Sequence, residues 1–151
     1  KDHFEGREEL KQSWVKVPET ELPKWLQTET MTASGGAIIS SHLSRIAGDS
    51  TPPPNWSLAF LGSPVSVASK SVVRADLYYN WRCANRGSNP SDLMDDMLHV
   101  LQSIYCHFYV TEEPKQSQYA HLLKGPATRV AIYDHSAPVG NWLEDLHDKA
   151  A

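Results

Sequence analysis

Cysteine is nearly absent from this chain. Two of them in 151 residues, Cys83 and Cys106, are too few for a disulfide-held fold. With no C-x-x-C spacing they read as small apolar residues on strands of a reduced, cytosolic protein. Long hydrophobic runs are missing as well: none approaches the ~20 residues of a membrane-spanning helix. Nothing near Lys1 has the pattern of a signal peptide. Any membrane contact is therefore expected to be peripheral, and the sequon Asn55-Trp56-Ser57 carries little weight.

The motifs of common enzymes are missing too. The chain has no G-x-S-x-G elbow, no Walker loop and no dinucleotide fingerprint. Gly35-Gly36 precedes a helical pattern but lacks the third glycine and the lysine that a phosphate cradle needs. Seven histidines include no pair at the spacing of a helical metal site. Cys83, Cys106 and His107 could meet across strands, but on a strand Cys106 and His107 point to opposite faces. Asp95 and Asp96 are neighbours on a helix, about 100° apart, and cannot share a proton. Asp134-His135-Ser136 has the residue types of a triad, yet triads are assembled in space, and a polar turn accounts for these three. No catalytic residue, metal site or cofactor is assigned.

What is present suits a globular fold: 40% hydrophobic residues, 21% charged and ten prolines. Residues 1–151 are long enough for one domain with a core of its own, the charged residues 1–9 forming a frayed end. Leu10–Val17 and Lys24–Met31 read as short strands, the second with threonines at β-favourable places. Ile38, Ile39, Leu43 and Ile46 keep helical spacing up to Gly48, and Asp49–Asn55 reads as a proline-rich loop. Trp56–Leu61 reads as a compact apolar strand. From Val73 to Cys83 apolar residues alternate strictly with Arg74, Asp76, Tyr78, Asn80 and Arg82, the clearest strand signal in the chain. Asn89-Pro90-Ser91-Asp92 starts a helix with Leu93, Met97, Leu101 and Ile104 on one stripe. Tyr105–Val110 and Ala127–Tyr133 read as strands around a polar loop, Glu112–Pro126. Pro138–Lys149 reads as a short amphipathic helix. The fold class expected is α+β, a mainly antiparallel sheet packed with two to three helices.

Charge is uneven. The chain carries −4 in all, but its middle is positive through Lys70, Arg74, Arg82 and Arg86, and its last third is acidic. On a strand Arg74 and Arg82 share a face with Tyr78, an arrangement suited to phosphate or an acidic surface; a solvated strand face explains it equally. Four charges are too few for tight nucleic-acid binding. Pro64–Ser71 is apolar between two strong segments, so Val65, Val67 and Ala68 either form an exposed interaction loop or continue into the core. The triplet Pro52-Pro53-Pro54 reads as a rigid connection.

Leu58-Ala59-Phe60-Leu61-Gly62-Ser63 is similar to a run in vesiculovirus matrix proteins, and Gly62–Val65 to one in lyssavirus matrix proteins. Near the C-terminus Ile132-Tyr133-Asp134, Ala137-Pro138 and Trp142 resemble the vesiculovirus end pattern in the same order. The chain thus resembles rhabdovirus matrix proteins. That resemblance implies a structural virion protein that self-associates, condenses the ribonucleoprotein and links it to the inner face of the envelope during budding. It places the protein under the envelope, in host cytoplasm and at the inner membrane face, with the nucleus a further location. The implied partners are a second copy, the nucleocapsid, anionic membrane, the viral glycoprotein tail and host trafficking proteins. Self-association is expected of Trp14, Val17, Val65, Val67 and Ala68, docking on a neighbour's sheet; nucleocapsid or anionic-surface contact is expected of Lys70, Arg74, Arg82 and Arg86. The family is commonly basic with a lysine-rich arm, whereas this chain is acidic and begins at Lys1, so a trimmed core is expected. The triplet lacks the tyrosine of a budding motif, which points to a plant-infecting lineage.

Two other classes compete. One is a small enzyme or ligand-binding α+β domain with a site built from Tyr79, His107, Asp134 and His135, recognisable by a pocket lined with them. The other is an adaptor that binds one partner without polymerising.

Overall fold

The computed structural model describes residues 17–47, 54–86, 91–135 and 137–148. A 3-10 turn (Glu19–Glu21) leads into α1 (Leu22–Glu29), followed by α2 (Ala33–Ala47) and α3 (Pro54–Gly62). A second 3-10 turn (Pro64–Ser66) opens α4 (Val67–Arg86). Then come α5 (Ser91–Gln102), β1 (Phe108–Thr111), α6 (Pro114–Leu123), β2 (Arg129–Ile132) and α7 (Val139–Asp148). The described residues are thus mostly helical, and their only sheet is one pair of parallel strands. The expected mainly antiparallel sheet is not there.

The largest correction concerns α4. The alternation from Val73 to Cys83 belongs to a helix of 20 residues, far longer than an ordinary strand. Alternation arises because α4 is the central helix, packed against α1, α2, α3, α5 and α6. A helix enclosed on several sides buries residues all round its axis, so its hydrophobic pattern loses the 3.6 period. Val73, Leu77 and Trp81 are buried at i, i+4 and i+8, and Ala75 and Tyr78, off that stripe, are buried as well, Tyr78 stacking on Trp81 and meeting Tyr119.

Three further segments are corrected. Lys24–Met31, read as a strand, lies largely in α1, with Pro23 in the first turn and Leu22 and Leu26 inward. Its threonines do not disturb the helix, because Thr28 and Thr30 donate their hydroxyls back to the carbonyls of Lys24 and Leu26. Trp56–Leu61 is the body of α3, apolar all round; a short apolar run of this kind does not reveal its period. The loop expected over Glu112–Pro126 contains α6, which starts at Pro114 in a position where a missing N–H does no harm. The strand expected over Leu10–Val17 lies outside the described residues except for Val17, as do residues 1–9 and most of the loop Asp49–Asn55.

Other expectations agree with the structure. The helices expected after Gly35 and Ser91 are α2 and α5, the second burying Leu93 and Met97. β2 falls within Ala127–Tyr133, α7 within Pro138–Lys149, and β1 overlaps Tyr105–Val110. The glycine pair of α2 serves packing: a Cβ at Gly35 would collide with the Thr30 carbonyl, and one at Gly36 would press on Leu58.

β1, α6 and β2 form a parallel crossover. α6 covers one face of the strand pair, where Gln116 accepts hydrogen bonds from the hydroxyls of Tyr109 and Thr111, each at 3.1 Å. The segment between α6 and β2 is pinned by Thr128, whose hydroxyl contacts the carbonyls of Ile104 and Cys106. α7 is attached chiefly by an edge contact of Trp142 with Tyr133, and Val139 and Leu143 remain exposed.

Candidate functional site

The first two turns of α4 carry a cluster of cations. Residues 70 and 74 are four apart, so their side chains leave one helical face about 40° out of line. Facing them are the end of α6 and the loop into β2, which bring His121 and Lys124. Together they border a cleft of about 400 Å³. Pro23 and Gln27 of α1, Gly125, Pro126 and the buried Ser71 (1% exposed) also line it. No Asp or Glu is among the described residues lining it.

Arg74 is the distinctive member. Its Nε is shut off from water and has no hydrogen-bond partner among the described residues. Among the described residues its guanidinium makes no hydrogen bond or ion pair, and burial pulls its pKa below the usual arginine value. Asp76 does not neutralise it: two residues on, it points about 200° round the helix, where its Oδ2 is 2.7 Å from Nε2 of His42. Lys70 and Lys124 reach only backbone oxygens, of Ser63 at 3.4 Å and Thr128 at 2.9 Å. The cleft therefore gathers three permanent positive charges and one histidine without a counter-charge among the described residues of its lining. Such an arrangement stabilises an anion that displaces water.

No family model, curated protein or solved structure matches this chain.

Of the four cations expected to act together, the structure brings Lys70 and Arg74 to the cleft and leads Arg82 elsewhere, 3.4 Å from the Tyr78 hydroxyl. Arg86 is the last residue of α4. A strand would have kept Arg74 and Arg82 on one face, whereas each step of four along a helix turns about 40°, and Tyr78 has turned into the core. His121 and Lys124 were missed because the segment holding them reads as a loop. Pro114 at one end and Lys124-Gly125-Pro126 at the other are the start and stop signals that mark this helix.

The self-association residues separate as well. Trp14 lies outside the described residues. Val17 packs against the core and its carbonyl accepts a hydrogen bond from Trp81. Val65 is 77% exposed in the 3-10 turn, while Val67 and Ala68 are half-buried at the start of α4, where Val67 borders the cleft.

The scattered residues of the enzyme alternative are not brought together. Tyr79 lies on α4; His107 precedes β1, and Asp134 and His135 follow β2. Because the strands are parallel, the last three sit at opposite ends of a sheet about 13 Å long. His135, with a left-handed backbone (φ 60°), instead meets Glu112 at 3.3 Å on the surface. Cys83 is on α4 and Cys106 in the exposed turn before β1, so the expected strand placement holds for neither. Among the described residues no three His, Cys, Asp or Glu side chains could hold a metal ion.

Proposed function

We propose that this chain is a non-catalytic interaction module whose basic cleft seats an anionic group of its partner. The observation that carries this reading is Arg74, a partly buried guanidinium that finds no hydrogen bond or ion pair among the described residues and lines one cleft with Lys70 and Lys124. Burying a cation without a counter-charge is unfavourable, and an arriving anion relieves that penalty. The test is a titration of the labelled protein with sodium sulfate at constant ionic strength, followed by amide NMR. Saturable shifts confined to α1, the start of α4 and the loop after α6 support the reading. Shifts spread over the whole surface, or none, count against it.

A second reading keeps the self-associating structural role that the resemblance to rhabdovirus matrix proteins implies. One observation favours it: Val65, within the segment of the resemblance, is 77% exposed. It ranks second because the described residues hold one two-stranded parallel sheet in place of the sheet-rich fold expected with it. Sedimentation velocity over a concentration series tests it, with Val65→Asp expected to reduce a ladder of oligomers to monomer. A single monomer peak for the parent chain at every concentration removes the support.

A further inference from the structure

We infer that the anion taken by this cleft is a phosphomonoester, presented on a small molecule or as a lipid headgroup. The inference rests on the anion-binding reading above and adds the chemistry of the ligand. Three permanent charges from two parts of the chain border one small space, Lys70 and Arg74 from α4 and Lys124 from the end of α6. A guanidinium is a planar fork that donates two parallel hydrogen bonds, while an ammonium acts as a point charge. One fork and two point charges match a tetrahedral dianion with three free oxygens better than a carboxylate, which offers two. The wall is also partly apolar, through Val67, Leu122 and Pro126, which gives room for the carbon part of a small ester.

A polymer fits less well. A nucleic-acid strand needs a run of cations along its backbone, but here the cations converge on one cleft and Arg82 leads away towards Tyr78.

The test is isothermal titration of the full chain with glycerol 3-phosphate, sulfate and succinate, alongside flotation with vesicles containing phosphatidic acid or phosphatidylglycerol. Glycerol 3-phosphate is expected to bind at least tenfold more tightly than succinate or sulfate. Arg74→Gln should weaken it by roughly tenfold or more, the usual range for a charge-assisted hydrogen bond. Arg74→Lys, which keeps the charge and loses the fork, should recover only part. Lys124→Gln, at the rim, should weaken binding several-fold and keeps the test open if the Arg74 variants fail to fold, which thermal unfolding reveals.

Binding to phosphatidic acid vesicles but not to glycerol 3-phosphate supports the inference with a lipid as the source. The reverse supports it with a free metabolite as the source. Equal, Arg74-dependent binding of sulfate, succinate and glycerol 3-phosphate, with no preference for phosphatidic acid over phosphatidylglycerol, overturns the phosphomonoester while leaving the anion cleft standing. No binding of any anion or vesicle, or binding indifferent to Arg74→Gln and Lys124→Gln, overturns both.

Discussion

The indole nitrogen of Trp81 donates a hydrogen bond to the carbonyl oxygen of Val17 at 3.0 Å, joining residues 64 positions apart. Trp81 is buried, and Val17 packs against the same core. The segment entering α1 is thereby fixed to the C-terminal half of the central helix.

Trp81→Phe removes this donor and part of the ring. A net loss of about 1–2 kcal/mol is expected, read as a lower urea midpoint with an unchanged slope. An unchanged midpoint would mean that the Val17 carbonyl finds water as good a partner.

Leu77 and Tyr79 distinguish the helix from the strand that the alternation suggests. On a strand they would share the buried face and weigh alike. In α4 Leu77 is fully buried and Tyr79 only half so. Leu77→Ala is expected to cost about 2–5 kcal/mol, and Tyr79→Ala clearly less, in chemical unfolding. Equal losses would contradict the helical packing.

Arg74 should reduce stability in the absence of ligand. Burial lowers its pKa, so the charged form is less favourable in the folded than in the unfolded chain. Arginine stays protonated throughout the ordinary pH range, and the penalty is therefore present at every working pH. Arg74→Met is expected to stabilise the free protein by about 0.5–1 kcal/mol after allowance for partial exposure, read as a higher melting temperature, and to weaken anion binding as Arg74→Gln does. A destabilised variant would show that the guanidinium contributes to the fold through contacts of its stem.

Tyr109 supplies a pH dependence. Burial raises its pKa above the usual phenol value, with the charges of Asp96 and Glu113 adding to the effect. The folded chain then holds this proton more tightly than the unfolded one. The stabilisation is fully present below the unfolded pKa of about 10 and disappears as pH rises through the higher folded value. Urea midpoints measured from pH 9 to 11.5 should fall more steeply in the parent chain than in Tyr109→Phe. Parallel slopes would remove Tyr109 as the cause.

How much was legible in the sequence depends on how each element is packed. α2 and α5 bury one stripe, so Ile38, Ile39 and Leu43, and then Leu93 and Met97, display the helical period directly. α4 is surrounded, and its inward residues on several sides imitate a strand. α6 is mostly polar, burying only Ser117, Tyr119, Ala120 and Leu123, so its capping residues speak louder than its hydrophobic pattern. The cleft was half legible for the same reason. Lys70 and Arg74 stand out in a basic stretch, and a spacing of four keeps neighbours on one face in a strand and nearly so in a helix. Lys124 and His121 belong to an element without apolar periodicity, and only the crossover brings them opposite α4.

That crossover also bears on the order in which the molecule is assembled. β1 and β2 run in the same direction, so they cannot zip from a tight hairpin; the chain must first travel through α6 and return. Contacts between distant parts of a chain form more slowly than those within a helix. Gly125 and Pro126, which line the cleft, sit on the returning stretch. The cations of α4 therefore meet their lysine counterpart through a contact distant in sequence, the packing of α6 against α4, and the binding site exists only in the fully assembled fold.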